Sequence, residues 1–238
     1  MKLSILLPAY NEEHTLPLVL DALVAADLSS LPTPVEKEII VVDDASTDRT
    51  ADAAAGRDGV LLLRHDRNRG KAAAIRTALA RATGDVVIIQ DADMEYSVAD
   101  YPALLRPFIE SDARVVYGSR FLKRPWPTRM RPANFIANKI LTAAANLLFR
   151  CRLTDEATCL KLFRADLLKS LPLAAEGFNF CPEATALVRL RGARIVEVPI
   201  EYQARGMKEG KKVRWTDGLR ALWTLARRRM RGRHAAGA

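Results

Sequence analysis

Val86-Val87-Ile88-Ile89-Gln90-Asp91-Ala92-Asp93-Met94-Glu95 begins as four β-branched apolar residues and then breaks into three acids at alternate positions. An apolar run this short, with no alternation, reads as a strand covered on both faces, which is how the central strands of a parallel sheet look. Ile39-Ile40-Val41-Val42-Asp43-Asp44-Ala45-Ser46-Thr47-Asp48 has the same build. Residues 3–7 and 60–63 give two more strands, and each strand is followed by a helical segment. Helix starts are expected at Asn11 ahead of Glu12-Glu13, at Asp48 ahead of an alanine-rich stretch, and at Gly70 ahead of 71–82. Alternating strands and helices predict an α/β fold, a mostly parallel sheet flanked by helices. Ligands of such sheets bind outside the carboxyl ends of the strands, where helix N-termini also offer free N–H groups.

After Val115-Val116-Tyr117 the rhythm changes. A Pro- and Arg-rich connection, Lys123-Arg124-Pro125-Trp126-Pro127, leads to an amphipathic helix over about 133–149. Strands are expected near 160–163 and 195–198, with a helix from about Pro182 to Leu190 between them. The 238 residues, 49% hydrophobic and 27% charged, suffice for one full-sized globular domain and exclude a disordered or fibrous chain. Domain limits are expected at 1–212, with an amphipathic helix and basic tail over 213–238.

The formal charge of +9 is unevenly spread. Residues 1–204 balance 26 basic against 26 acidic side chains, whereas 205–238 hold 11 basic residues beside Glu209 and Asp217 alone. Cys151, Cys159 and Cys181 fit no zinc spacing and leave one thiol out of any pairing, which favours a reducing, cytosolic setting. The N-terminus reads as a strand, not a signal peptide, and no stretch reaches the roughly 18–20 apolar residues of a spanning helix. His14, His65 and His234 lack partners at useful spacing and are expected on surfaces or helices.

Asp91 and Asp93 would lie about 7 Å apart on one side of an extended strand, and a turn brings them closer. Like charges gathered at the mouth of a sheet call for a cation, and an oxygen-preferring Mg²⁺ or Mn²⁺ shared with substrate phosphates would supply it. A solvated acidic loop that caps the next helix is the other reading of the same spacing. Asp43, at the end of a second strand, is placed to accept from a ribose or a base, while Asp48 reads as a helix cap. Asn68-Arg69-Gly70-Lys71 puts a glycine and a cation at a helix start, where both could approach a phosphate or a base.

Pro8-Ala9-Tyr10-Asn11-Glu12, Val42-Asp43-Asp44-Ala45-Ser46-Thr47-Asp48, Asn68-Arg69-Gly70-Lys71, Asp91-Ala92-Asp93 and Tyr117-Gly118-Ser119-Arg120, in this order, resemble the family 2 glycosyltransferases of GT-A (Rossmann-like) fold. The pattern is most similar to the dolichyl- or polyprenyl-phosphate sugar synthases. It continues through Thr154-Asp155, Cys159 to Arg164, Glu197-Val198-Pro199-Ile200 and Glu209-Gly210-Lys211-Lys212, covering about 1–225.

That resemblance implies an inverting transfer of a hexose from a nucleoside-diphosphate sugar, of the GDP-mannose or UDP-hexose type, to polyprenyl phosphate at the cytoplasmic membrane face. It assigns Pro8, Tyr10, Glu12, Asp43, Gly70, Lys71, Asp91 and Ala92 to the nucleotide, and Asp91, Asp93 and Glu95 to a Mg²⁺ or Mn²⁺ ion. Glu95 stands where related synthases often carry Gln. Arg205, Lys211 and Lys212 fall on the donor diphosphate, or on a solvated basic tail. An acceptor that is already a phosphate monoester needs cations rather than a base, so Arg120 and Arg131 are expected to hold it, with Asp93, Arg120 and Asp155 catalytic. A hydroxyl acceptor, as in cell-envelope polysaccharide or glycolipid synthesis, would need a carboxylate base, either Asp155 or Glu183. A nucleotide-sugar-binding module without turnover is a third reading.

Trp215, Leu219, Leu222, Trp223, Ala226 and Met230 fall along one side of a C-terminal helix with arginines around and after it. Tryptophan, an apolar stripe and a polybasic end suit an anionic membrane surface, contacted from the cytoplasm as a peripheral protein. A helix packed on the core with a solvated tail is the alternative. Many similar sequences end in transmembrane helices, so attachment here falls to this helix or to a membrane-protein partner. No nucleic-acid motif accompanies the charge.

Overall fold

The computed structural model describes residues 1–204 and 215–235. Among them a sheet of seven strands forms from β1 (Lys2–Ala9), β2 (Glu36–Asp43), β3 (Val60–Arg64), β4 (Val86–Ile89), β5 (Val115–Ser119), β6 (Lys161–Arg164) and β7 (Val196–Pro199). Their order is β3-β2-β1-β4-β6-β5-β7. Only β6 runs antiparallel to its neighbours β4 and β5; the other pairings are parallel. The expected strands are all present, their ends within three residues of the reading, the largest difference being the start of β2 at Glu36.

The helices are α1 (Leu16–Ala25), α2 (Thr50–Ala54), α3 (Lys71–Arg81), α4 (Tyr101–Glu110), α5 (Arg120–Lys123), α6 (Pro132–Phe149), α7 (Ala165–Ser170), α8 (Phe180–Leu190) and α9 (Trp215–Ala235). Side chains alternate across the strands. Leu3, Ile5 and Leu7 of β1 therefore join one core layer with Leu20 of α1 and Leu104 of α4. Leu6, with Ile40, Val87 and Ile89, faces Ile75 of α3 and Ala184 of α8 on the other side.

Two helix expectations need correction. α1 starts at Leu16, five residues after Asn11. Asn11 adopts a left-handed backbone, φ 49°, and its Oδ1 accepts from the Thr47 N–H at 2.9 Å, so it ties two loops together instead of capping. α4, the helix expected after the acidic loop, has no limits in the sequence reading because Pro102 and Pro107 interrupt its pattern; Pro102 sits in the first turn, where a proline is tolerated.

β1 lies between β2 and β4, with Ala9 level with Asp43 and Leu6 level with Ile89. The chain runs outward from β1 to β2 and β3, then returns to the other side of β1 as β4. The carboxyl ends of β1, β2 and β4 thus meet at a topological switch point, the position at which the ligand crevice of such sheets lies.

α9 packs through Ala221 and Leu225 on Leu141, Ala145 and Phe149 of α6 and Ala186 of α8. Its end sits so close to α8 that a Cβ on Gly232 would fall 2.6 Å from the Leu190 side chain. The outward faces of α6 and α9 are apolar too: Ile136, Ile140 and Leu147 on α6, and Leu219, Trp223 and Met230 on α9, are all exposed, Leu147 to 82% and Trp223 to 62%. No helix among the described residues is long and apolar enough to cross a membrane.

Candidate active site

Three strand ends supply the walls of the crevice. At the end of β2, Asp43 is fully buried, and its Oδ1 accepts from the Ser46 N–H at 3.0 Å. Oδ2 faces the Arg64 guanidinium at 3.0 Å but receives no hydrogen bond of proper geometry. A buried carboxylate oxygen in that state is an exception that calls for an explanation, and a donor on a ligand would satisfy it. Arg64, at the end of β3, escaped the sequence reading because a single arginine after a strand carries no pattern.

Asp44, also unassigned from sequence, organises the third loop. Its Oδ2 accepts from the Gly70 N–H at 2.7 Å, and its Oδ1 from the Arg69 N–H at 2.9 Å and the His65 Nδ1 at 2.6 Å. His65 is therefore buried in a loop, with Thr77 on its other nitrogen at 2.9 Å, contrary to the expectation of a surface or helix position without partners. Only glycine fits at position 70: φ is +82°, and a Cβ would lie 2.8 Å from the Gly177 Cα. The loop thereby delivers Lys71, the first residue of α3, to the floor of the crevice. There its ammonium bonds Asp91, just beyond β4, and the Cys159 sulfur at 3.1 Å. Burial works against that charge, but Asp91 and the neighbouring sulfurs outweigh it and hold the Lys71 pKa well above its ordinary range.

Beyond Asp91, Ala92 is buried and Asp93 is half-buried, its Oδ1 accepting from the Glu95 N–H at 3.2 Å. Glu95 Oε2 accepts from the Tyr202 hydroxyl at 2.9 Å. No group of three or more His, Cys, Asp or Glu side chains converges on a metal position among the described residues. Hard carboxylate oxygens on one loop, too few for a cage, suit the way Mg²⁺ and Mn²⁺ bind, through one or two carboxylates with water and substrate phosphates completing the shell. Pro8 and Tyr10 are half-buried at the end of β1, and Glu12 is buried, accepting from the Thr15 hydroxyl at 2.6 Å.

On the far side, Arg120 begins α5 and is buried against Asp155. Its Nε and Nη2 donate to Oδ2 and Oδ1, each at 2.7 Å, and its backbone N–H donates to Oδ2 at 3.0 Å. Glu197 of β7 fixes the loop beneath, accepting from the N–H groups of Thr154 at 2.7 Å and Asp155 at 3.0 Å. The guanidinium lies 5.0 Å from the ring centre of Tyr202, whose hydroxyl reaches Glu95. Arg120 and the acidic loop therefore share one wall. Arg131 is exposed at the start of α6.

Glu183 does not face the crevice as a free carboxylate. It is buried in the first turn of α8, accepting from the N–H groups of Ala174 and Ala175 and pairing with Arg228 of α9. Arg205, Lys211 and Lys212 lie outside the described residues. The chain that precedes them is anchored to the acidic loop, with the Gln203 N–H donating to the Glu95 carbonyl at 3.0 Å.

Comparison with known proteins bears on the family and the fold. A low-salt glycan biosynthesis hexosyltransferase, Agl6, of Haloferax volcanii is 29% identical over 204 residues, covering 85% of this chain and 48% of that protein, so the chain spans about half of its length. An undecaprenyl-phosphate mannosyltransferase of Micrococcus luteus is 31% identical over 261 residues, covering 97% of this chain and 99% of that protein. Among solved structures, glucosyl-3-phosphoglycerate synthase of Mycobacterium tuberculosis in complex with Mn²⁺, UDP-glucose and phosphoglyceric acid superposes with a TM-score of 0.70 at 23% identity, covering 96% of this chain and 79% of that one. The fold is thus that of the GT-A glycosyltransferases. The family model for glycosyl transferase family 2 matches residues 4–171, and the chain belongs to that family.

Proposed function

We propose that the protein transfers a hexose, with inversion, from a nucleoside-diphosphate sugar of the GDP-mannose or UDP-hexose type to polyprenyl phosphate on the cytoplasmic face of a membrane. The observation that carries the choice of acceptor is the pairing of Arg120 with Asp155. Both oxygens of Asp155 are taken by Arg120, and Glu183 is spent on backbone groups and Arg228. A hydroxyl acceptor needs a carboxylate base, whereas a phosphate monoester, whose second pKa is about 6, arrives ionised. A rigidly held, buried guanidinium beside the acidic loop suits that anion.

In this reading Asp43 takes the ribose or base through its open Oδ2, Gly70 and Lys71 close the nucleotide pocket, and Arg120 orients the acceptor oxygen for in-line attack. Asp93, with Asp91 and Glu95 near it, would hold the divalent ion, which when bound neutralises the departing diphosphate. Arg205, Lys211 and Lys212 would add cations to the same leaving group, and Arg131 would guide the acceptor toward Arg120.

The exposed apolar stripes of α6 and α9 support a peripheral membrane position. Each helix buries one face in the protein and turns a second apolar face outward. On α9, Arg220, Arg227 and Arg231 flank that face, which suits an anionic leaflet.

Incubation with Mg²⁺ or Mn²⁺, polyprenyl phosphate and a panel of nucleotide sugars tests the reading. A phosphate-linked glycolipid from one donor is expected; transfer only to hydroxyl acceptors, or no transfer from any donor, would overturn it.

A further inference from the structure

Two of the three free thiols lie together beneath the Lys71–Asp91 contact. Cys159 precedes β6, and its sulfur accepts from the Lys71 ammonium at 3.1 Å. Cys181 comes from the first turn of α8, and its sulfur donates to the carbonyl of Thr158, the residue next to Cys159, at 3.5 Å. The Cys181 sulfur therefore sits against the peptide that joins Thr158 to Cys159. Both are half-buried, not sealed in the core. Cys151, by contrast, points away toward the Ala145 carbonyl and the Asn146 amide oxygen at the end of α6. The pairing bridges residues 22 apart in sequence, at a spacing that matches no known pattern.

We infer that Cys159 and Cys181 form an oxidisable thiol pair whose disulfide disturbs the nucleotide site. In the step, the two S–H bonds break and one S–S bond forms; two protons and two electrons pass to an oxidant of the hydroperoxide class, which is reduced to water and an alcohol, or to water alone from hydrogen peroxide. The environment suits this chemistry. The hydrogen bond from Cys159, with the Lys161 and Lys71 ammonium groups nearby, draws the Cys181 thiol down to about 6 against the opposing effect of burial, and a thiolate is the species that reacts. In a reducing compartment such a disulfide is transient, as redox-sensing ones are.

The consequence follows from Lys71. In the reduced protein Cys159 is one of the two named partners that fix its ammonium, the other being Asp91. Drawing the Cys159 sulfur into a bond of about 2.05 Å with Cys181 pulls it toward α8 and away from Lys71. The floor of the nucleotide pocket then loses one of its fixed points. Because coupling between sites is reciprocal, a bound nucleoside diphosphate should in turn disfavour the disulfide at equilibrium.

The experiment treats the full chain with hydrogen peroxide, maps the thiols by peptide mass spectrometry, and titrates UDP and GDP into the reduced and oxidised forms with Mg²⁺ present. A Cys159–Cys181 disulfide is expected, with nucleotide affinity reduced about fivefold or more and restored by dithiothreitol. Cys181→Ser and Cys181→Ala, each checked for folding by circular dichroism, should lose the disulfide and the peroxide effect together. A disulfide involving Cys151, separate sulfenic acids with no 159–181 link, or unchanged affinity in the linked protein would overturn the inference. Its second part rests on the nucleotide reading given above: failure of the reduced protein to bind any nucleotide would strike that reading, while the disulfide, read by mass alone, is decided separately.

Discussion

Asp155 gives both of its carboxylate oxygens to Arg120, at 2.7 Å each, in a fork that is buried on both sides. A planar guanidinium matched to a carboxylate in this way has a fixed orientation that an ammonium would not reproduce.

Arg120→Lys is therefore expected to weaken acceptor use about tenfold to a hundredfold, the value of a lost charge-assisted hydrogen bond of about 1.5–3 kcal/mol. The loss should fall on the acceptor's KM and on turnover, with donor affinity intact. Asp155→Ala leaves the buried cation unpaired and should cost about 3–5 kcal/mol of stability, read from denaturant melts. Equal losses of donor and acceptor binding in Arg120→Lys would remove Arg120 from the acceptor site.

The nucleotide pocket is tested at Asp43. Its unsatisfied Oδ2 predicts that Asp43→Ala lowers the affinity for nucleoside diphosphates by about tenfold to a hundredfold, again about 1.5–3 kcal/mol. Calorimetric titration of UDP and GDP measures this directly, and unchanged affinity for both would place the base and ribose elsewhere.

Chelation by EDTA should abolish transfer, and Mg²⁺ or Mn²⁺ should restore it in the unaltered protein. Asp93→Asn should resist that rescue, with turnover down on the order of a hundredfold or more. Metal-dependent turnover that Asp93→Asn leaves untouched would show that another residue holds the ion.

Membrane attachment calls for point changes, because deleting residues 227–238 removes Arg228 and exposes the buried Glu183 it pairs with. Ile140→Glu with Leu147→Glu on α6, or Trp223→Glu on α9, alters only outward faces. Each is expected to lower flotation with anionic phosphatidylglycerol vesicles, and the residual binding should weaken further with salt. Flotation equal to that of the parent protein in both variants would end the argument for these helices.

Glu156 carries a pH dependence of stability. Burial pushes its carboxyl up to about 8 against the pull of the Lys161 charge, and its Oε2 has no hydrogen-bond partner. The native state keeps this proton where the unfolded chain, at its ordinary value of 4.5, has lost it. Stability should then fall as pH rises from about 4.5 to about 8. Glu156→Gln should flatten that slope and raise the melting temperature at neutral pH and above; a steeper slope would reverse the assignment.

Much of the fold was legible because its signals are local. The β-branched runs ending in acids at Asp43 and Asp91 mark buried strands and, at the same time, the rim on which their carboxylates sit. What escaped is what only long-range packing creates. Asp155 read equally well as a base or a cap until Arg120, 35 residues earlier in the chain, was found to occupy both oxygens. Asp44 stood beside Asp43 with the same chemistry, yet one accepts from the loop at Gly70 and the other faces Arg64 with an oxygen that receives no hydrogen bond.

Sequence alone determined the parallel α/β frame, the acidic rim, the family pattern and the concentration of positive charge beyond residue 204, since each depends on residue type and spacing along one segment. Tertiary structure decided which groups remain available. It committed Asp155 to Arg120, Glu183 to Arg228, and Cys159 to Lys71 with Cys181 beside it. It also settled which faces of α6 and α9 turn outward. Periodicity shows that a helix has apolar residues, but only the packing of neighbouring helices decides which of two apolar faces is covered.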